Sequence, residues 1–549
     1  MFKTFIRFMK LMGNRLPIYI GAICLSAIGE AVRRIANSYL IKNIVTVAQT
    51  GTDQSVWGLV LGNFAALVFG LFLWRFGIIH YNIEGRTGAG KVEKLVFSKA
   101  MRLPMSYYER NHSSDFMSKL IFDVQKASDI YTSRLRRLLS AIICTIMYLV
   151  PMLYFSWELT LCLIMLSLVA FGVNSIFAKP MKNAGRQFSD KNGGVLEKLT
   201  GILSGMELIK IFPVTPRLMS EYERVNKECY KAGKHTNRLS AGLEGLNNMF
   251  DLIGTLVFLG LGIWFVSLER IALGELTALY ALYGSFRNVF SEIGLYFPQM
   301  MNCVANAEKV FEFLDMEEEP QQWEYESCEE GASKPADEDD AISVENISFG
   351  YNEARLVLDN FSMKVKKGSF TAVVGESGCG KSTLAKLLLG FYPVEKGGMM
   401  VAGRSYSELS LKEVREQISY VPQEPYLYET TIAENISCGR KVERDKVIAA
   451  ARAANAHDFI TKLPDGYDTV LGERGNTLSG GERQRIAIAR AIIRDTPIIV
   501  MDEATSALDN ESEFLVQAAI KALKGGRTIL MIAHRPSSIA AADEVIRVG

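Results

Sequence analysis

Between Phe370 and Gly390 the chain reads FTAVVGESGCGKSTLAKLLLG, and the residues able to do chemistry are concentrated at its centre. Gly375, Gly380, Lys381 and Ser382 carry the spacing G-x-x-x-x-G-K-[ST], between an apolar run expected to be a strand (Thr371 to Val374) and a helical pattern that begins at Lys381. Glycines at these positions let backbone amides curl around a polyphosphate, and a helix that starts there aims its N-terminus at the anion. The expected cradle comprises Gly375, Glu376, Ser377, Gly378, Cys379, Gly380, Lys381, Ser382 and Thr383. The Lys381 ammonium can reach β- and γ-phosphates, and the Ser382 hydroxyl suits Mg²⁺. A glycine-rich turn in an α/β core could use the same letters, but the strand–loop–helix setting favours a nucleoside triphosphate.

Other polar residues stand where strands are expected to end. The stretch Ser419 to Gln423 reads as a strand whose last residue, Gln423, could face a metal or a water. Ile498 to Met501 is a buried strand by composition, and Asp502 and Glu503 follow it at the edge where open α/β sheets bind ligands. Asp502 suits a Mg²⁺ shell, and Glu503 can polarise an attacking water. Thr528 to Ile532 forms a third such strand and brings His534 to the same edge. Tyr351 closes the strand-like ISVENISFGY as an exposed aromatic, either stacking on adenine or simply ending a strand. Leu478, Ser479, Gly480, Gly481 and Glu482 form a second glycine-rich loop running into a helix (Arg483 to Ile493). One phosphate loop with a lysine and one cradle without suggest two half-sites, each completed by a second copy of the chain.

These elements occupy only the last third of 549 residues, of which 49% are hydrophobic. The apolar excess lies in the first three hundred, where six segments are long enough to span a bilayer. They run near Leu16–Ile41, Trp57–Ile79, Leu135–Phe155, Leu159–Phe177, Met249–Val266 and Leu273–Phe297. Two long connections, His80 to Arg134 and Lys179 to Asn248, are rich in Lys and Arg, so both termini and these loops are expected in the cytoplasm. Apolar residues at helical spacing (Val92–Met101, Leu218–Tyr230) predict that the spans continue as cytoplasmic helices, with short mixed segments at Met105–Leu120 and Gly201–Phe212. Met1 to Arg15 is basic, but no small-residue cleavage site follows, so the first span is expected to stay as an anchor. The net charge of +1 gives no field suited to nucleic acid, and the eight cysteines show neither a CxxC pair nor metal-ligand spacing. Charges inside the spans, Glu30, Arg33 and Arg34 in the first and Arg287 and Glu292 in the sixth, indicate either ion pairs or a wet cavity. Three guanidiniums against two carboxylates leave a positive surplus, which predicts an anionic amphiphile as the cargo of such a cavity.

Between Asp315 and Asp340 the chain turns acidic and is expected to be a solvated connector. The organisation predicted is a transmembrane domain over 1–314, a linker over 315–341 and an α/β P-loop domain over 342–549.

The second half resembles an ABC-transporter nucleotide-binding domain, and nearly the whole chain resembles a half-transporter with the ABC exporter fold. The LSGGERQR run is the specific feature, together with the phosphate loop, VMDE, the SALD segment ending at Asp509, and His534. That resemblance implies ATP and Mg²⁺ as ligands, a homo- or heterodimeric partner subunit, and a bacterial cytoplasmic membrane setting. It further implies Tyr351 as the adenine-stacking ring, Gln423 as the link from the γ-phosphate to the membrane, and Glu503 as general base. Ser479 and Gly481 would then contact the partner's ATP, and GMELIKIF (Gly205–Phe212) would be a coupling helix. Ser114 stands where the first loop of the family usually has glycine, and the chain stops at Gly549, where the family continues through another strand and helices. The early end implies lowered stability with unchanged chemistry. An importer of a siderophore-like ligand on the exporter fold is the alternative within the class. A non-transporting ABC ATPase is the alternative outside it, and six fused spans oppose that reading.

Overall fold

The computed structural model describes residues 1–549 apart from 51–53, 111–112, 324–338, 352–354, 377, 395, 473–474, 504–509, 525 and 549. Ser377, Asp509 and the side chain of Ser114 therefore lie outside the described residues. The chain divides into two compact units, 1–101 with 113–316, and 102–112 with 317–549.

The first unit is helical. Its elements are α1 (Phe2–Lys10), α2 (Leu16–Thr50) and α3 (Gln54–Ala100); after α4 (Met105–Arg110), which belongs to the second unit, come α5 (Ser113–Asp129), α6 (Leu135–Phe155), α7 (Trp157–Ser204), α8 (Met206–Ile211), α9 (Thr215–Ser267) and α10 (Leu273–Leu314). All six expected spans fall within helices, and the long connections are helical continuations of them, as the periodicity predicts. Among the described residues four helices are apolar enough over 18 residues to cross a membrane: Gly13–Gln49, Trp57–Ala100, Leu120–Phe155 and Thr215–Ser267. On α3 the large side chains Leu61, Phe64, Phe69 and Phe72 are more than half exposed, an outer face suited to hydrocarbon and not to water.

Small residues let α2 and α3 touch backbone to backbone. A Cβ on Gly29 would lie 2.3 Å from the Trp74 amide nitrogen, and one on Gly77 would lie 2.5 Å from that of Ser26. Such close approach is how helices associate in lipid, where burial from water offers no drive. One π-helical turn, Ile130–Arg134, joins α5 to α6 without a break. It ends two residues before Arg136.

The second unit carries two sheets. An antiparallel sheet has the order β2-β1-β4-β5, formed by β1 (Asp340–Phe349), β2 (Leu358–Lys366), β4 (Lys396–Val401) and β5 (Arg404–Ser405). A parallel sheet has the order β6-β7-β8-β3-β9, formed by β3 (Phe370–Val374), β6 (Ile418–Val421), β7 (Ile498–Asp502), β8 (Thr528–Ile532) and β9 (Glu544–Arg547). In β7 the side chains of Ile499 and Met501 enter one core while Ile498 and Val500 enter another. A sheet covered on both faces needs apolar residues at every position, which is why these strands read as unbroken runs and not as alternations. The helices are α11 (Lys381–Leu388), α12 (Leu411–Gln417), α13 (Ile432–Ser437), α14 (Arg444–Ala453), α15 (His457–Ile460), α16 (Gly480–Arg494), α17 (Asn510–Leu523) and α18 (Pro536–Ala540).

The acidic stretch differs from its expected solvated character over Glu317–Trp323, which packs in this unit. Glu319 accepts two hydrogen bonds from the Arg415 guanidinium at 2.7 and 2.8 Å, and the Trp323 indole donates to the Gly390 carbonyl at 3.0 Å. Composition alone does not reveal that a tryptophan anchors an otherwise charged segment.

Candidate nucleotide site and membrane cavity

Strand order places the chemistry. The neighbours β7, β8 and β3 end together, which brings Asp502, His534 and the phosphate loop to one edge of the sheet. Two glycines of the loop, Gly378 (φ 84°) and Gly380 (φ 104°), take left-handed backbone angles that a side chain would resist. Gly375 is required for space: a Cβ there would lie 2.3 Å from the Val548 carbonyl oxygen and 2.7 Å from Cys379 Sγ. The Lys381 side chain, 5% exposed, donates to the carbonyls of Gly375 at 2.9 Å and Glu376 at 2.6 Å. The cleft beside the loop, about 690 Å³, is lined by Tyr351, Gly378, Lys381, Ser382, Glu503 and His534 among others.

Asp502 and Glu503 are adjacent in sequence and differ in surroundings. Asp502 is buried and accepts from Ser382 Oγ at 3.4 Å and from Tyr420 Oη at 3.4 Å. Burial pushes its carboxyl above the usual range; the Ser382 bond opposes this and the Glu503 charge adds to it. Glu503 has φ 44°, a strained angle for a residue with a Cβ, held by its amide donating to the Ile532 carbonyl at 3.1 Å. The turn presents its carboxylate to two groups. Gln423 Nε2 donates to Oε2 at 2.7 Å, and His534 Nε2 lies 2.9 Å from Oε1.

Ser382 with Asp502 forms the oxygen pair that a hard divalent cation takes alongside phosphate oxygens. Among the described residues no group of three or more His, Cys, Asp or Glu could hold a metal by itself, so this pair fits Mg²⁺ arriving with a nucleotide. Gln423, expected near the metal, is engaged with Glu503. Tyr351 lines the cleft, half-buried and not fully exposed as expected, with its hydroxyl 3.1 Å from Thr383 Oγ1.

Ser479, Gly480, Gly481 and Glu482 do not line this cleft. They start α16 as a capping box, the Glu482 carboxylate accepting from the Ser479 amide at 2.8 Å and from its hydroxyl at 2.9 Å. Gly481 is pressed against α17, its missing Cβ standing 2.4 Å from Ser512 Oγ.

The first unit holds a second site, a cavity of about 360 Å³. Arg33, Arg34, Arg136 and Arg137 line it with Glu30 and Glu292. Glu30 accepts from Arg33 at 2.5 Å and from Arg34 at 3.1 Å, so an ion pair and a cavity lined by charges are both present. Arg287 departs from expectation: it pairs with Asp251 on α9 and is absent from the cavity lining. The surplus of positive charge comes instead from Arg136 and Arg137, which the sequence places at the start of the expected third span. The RLRR run at 134–137 was the available signal.

Residues 358–506 match the ABC transporter family, and residues 19–290 match the ABC transporter transmembrane region. The chain belongs to the ABC transporters. This ABC transporter is 32% identical over 475 residues to an ATP-dependent lipid A-core flippase of Saccharophagus degradans, covering 86% of this chain and 79% of that one. The flippase of the same description from Haemophilus influenzae is 32% identical over 564 residues, with 99% and 93% covered. An uncharacterized ABC transporter ATP-binding protein of Bacillus subtilis is 29% identical over 525 residues, with 94% and 85% covered. A solved structure of a bacterial Atm1-family ABC exporter with ATP bound superposes with a TM-score of 0.76 at 25% identity, covering 98% of this chain and 94% of that one. This ABC transporter is thus an integral membrane half-transporter with the exporter fold, an ATP-driven exporter that couples ATP hydrolysis to transport.

Proposed function

We propose that this transporter exports an anionic amphiphile, a lipid or lipid-like molecule, across the bacterial cytoplasmic membrane as a dimer with two shared ATP sites. The observation that carries the cargo class is the cavity, where four arginines face two glutamates within the first unit. Charges at such depth are costly and persist where a bundle interior or a bound ion repays them. Flippases of a lipid among the similar proteins agree with that chemistry. The basic long connections favour both termini in the cytoplasm.

Shared ATP sites are supported by the absence of the Ser479–Glu482 helix start from the cleft of the lysine-bearing loop in one chain; a second subunit would bring it to the same nucleotide. In hydrolysis, Glu503 accepts a proton from a water while the water oxygen bonds to the γ-phosphorus. The bond from that phosphorus to the β–γ bridging oxygen breaks, and ADP and phosphate leave. His534 and Gln423 fix the two oxygens of Glu503, and the Lys381 ammonium, which bonds to the Gly375 and Glu376 carbonyls of the loop, would reach the β- and γ-phosphates from there. Ser382 and Asp502 would hold Mg²⁺, which would supply positive charge against the phosphates when bound.

The test is ATPase activity in vesicles with and without anionic phospholipid. Stimulation by that lipid should disappear in Arg136→Ala/Arg137→Ala while basal hydrolysis persists. Equal stimulation of the variant and the wild type would remove the cavity from cargo recognition.

A further inference from the structure

Beside the nucleotide cleft lies a second, smaller pocket of about 360 Å³, lined by Glu109, Tyr351, Lys386 and Tyr392. Tyr351 is thus a wall common to this pocket and to the nucleotide cleft. The Lys386 ammonium stands 5.5 Å above the centre of the Tyr351 ring and bonds to a Glu109 carboxylate oxygen at 3.0 Å. The other Glu109 oxygen accepts from the Tyr392 hydroxyl at 2.6 Å. Tyr392 in turn meets Tyr351 edge-on at 5.2 Å, and Phe349 meets both rings at 5.2 and 5.5 Å. Lys386 at the face of Tyr351 and Tyr392 at its edge therefore converge on one carboxylate. Burial works against the charge on Lys386, yet Glu109 and Tyr351 outweigh it and hold the amine above its usual range.

Glu109 does not come from the nucleotide domain proper. It sits on α4, in the 102–112 segment that by chain order belongs to the connection between the second and third spans, and which packs as part of the second unit.

We propose that Glu109 positions the Tyr351 ring through Lys386 and Tyr392, so that this connection sets how tightly the transporter holds the base of its nucleotide. The proposal rests on Tyr351 being the base platform. A cation fixed on one face of an aromatic ring orients it and polarises it toward whatever stacks opposite. If α4 shifts with the spans that flank it, Lys386 loses its anchor and the platform its orientation. Base affinity then follows the membrane segments without any change at the phosphate loop.

The experiment compares binding of ADP and of inorganic pyrophosphate to full-length protein, because pyrophosphate occupies the phosphate loop and has no base. Glu109→Gln should weaken ADP about 3–10-fold, the loss of one charge-assisted hydrogen bond at a partly exposed site, and leave pyrophosphate within about twofold. Lys386→Met should do the same, and Glu109→Gln should add nothing in a Tyr351→Ala background. Should Glu109→Gln fail to assemble, Lys386→Met decides alone. Equal losses for both ligands, or none for ADP, overturn the linkage while Tyr351→Ala still weakens ADP selectively. If Tyr351→Ala has no selective effect on ADP, the platform reading falls and the proposal with it.

Discussion

The imidazole Nε2 of His534 stands 2.9 Å from Oε1 of Glu503. With Gln423 on the other oxygen, that contact fixes the plane of a carboxylate carried on a strained backbone turn. An orientation so determined is what a general base needs before its proton arrives.

Glu503→Gln keeps the shape and the contacts but removes the basicity. We expect ATP binding to persist and turnover to fall by roughly 10²-fold or more, as loss of a general base does. The ATP-bound dimer should then accumulate, which gel filtration with non-exchanging nucleotide would detect. Hydrolysis near the wild-type rate would take Glu503 out of the role.

Asp502 gives a pH dependence of opposite sense to the usual carboxylate. Its pKa is raised in the folded chain, chiefly by burial, so the folded state binds that proton more readily than the unfolded one. The resulting stability is present below the ordinary carboxylate range and is lost as pH rises through the folded-state value. Asp502→Asn should therefore melt higher than the wild type at neutral pH without nucleotide, by about 2–4 °C per kcal/mol in a domain of this size. The gap should close toward acid pH, and Mg²⁺-dependent ATP binding should be lost. A gap that stays constant with pH would assign the effect to something other than this carboxyl.

The proposed shared sites predict complementation. Lys381→Ala and Ser479→Arg each inactivate a homodimer, but a mixed dimer concentrates both defects in one composite site and leaves the other intact. ATPase activity should reappear in part on mixing, and its absence from mixed dimers shown to form would exclude sites built from two subunits.

Much of this was readable beforehand, for reasons specific to each element. The phosphate loop, β7 and β8 announce themselves because a doubly covered parallel strand must be apolar throughout and its chemistry must then follow at the tip, as Asp502 and His534 do. The partners of single charges were not readable. Arg287 finds Asp251 on another helix, and Lys386 finds Glu109 more than two hundred residues away, so neither pairing leaves a local pattern. Tyr351 reads either as a stacking aromatic or as a strand end, and its confinement by Thr383, Tyr392 and Lys386 depends wholly on tertiary packing.

The α2–α3 seam yields a stability prediction. A side chain at Gly29 meets the Trp74 backbone at 2.3 Å, and backbone cannot swing aside as a flexible side chain can. Gly29→Val should lower the melting temperature in detergent and cost at least the 1–3 kcal/mol typical of overpacking. Gly21→Val, on the same helix with nothing within 4 Å, should not. Similar melting of the two variants would count against the seam.

The π turn at Ile130–Arg134 buffers the proposed cargo cavity against a change in chain length. Such a turn holds one residue more than its α-helical equivalent for about the same rotation, so the surplus residue is absorbed in the widened turn. Removing one residue there would rewind the turn to α-helix and leave Arg136 and Arg137 in nearly the same phase toward Glu30 and Glu292. A second deletion has no surplus to draw on and would turn both arginines by about 100°. A single-codon loss in this stretch is thus expected to keep the charged wall in place, and lipid stimulation should survive removal of one residue from 130–134 but not of two. Loss of stimulation on the single deletion would count against the turn as a buffer.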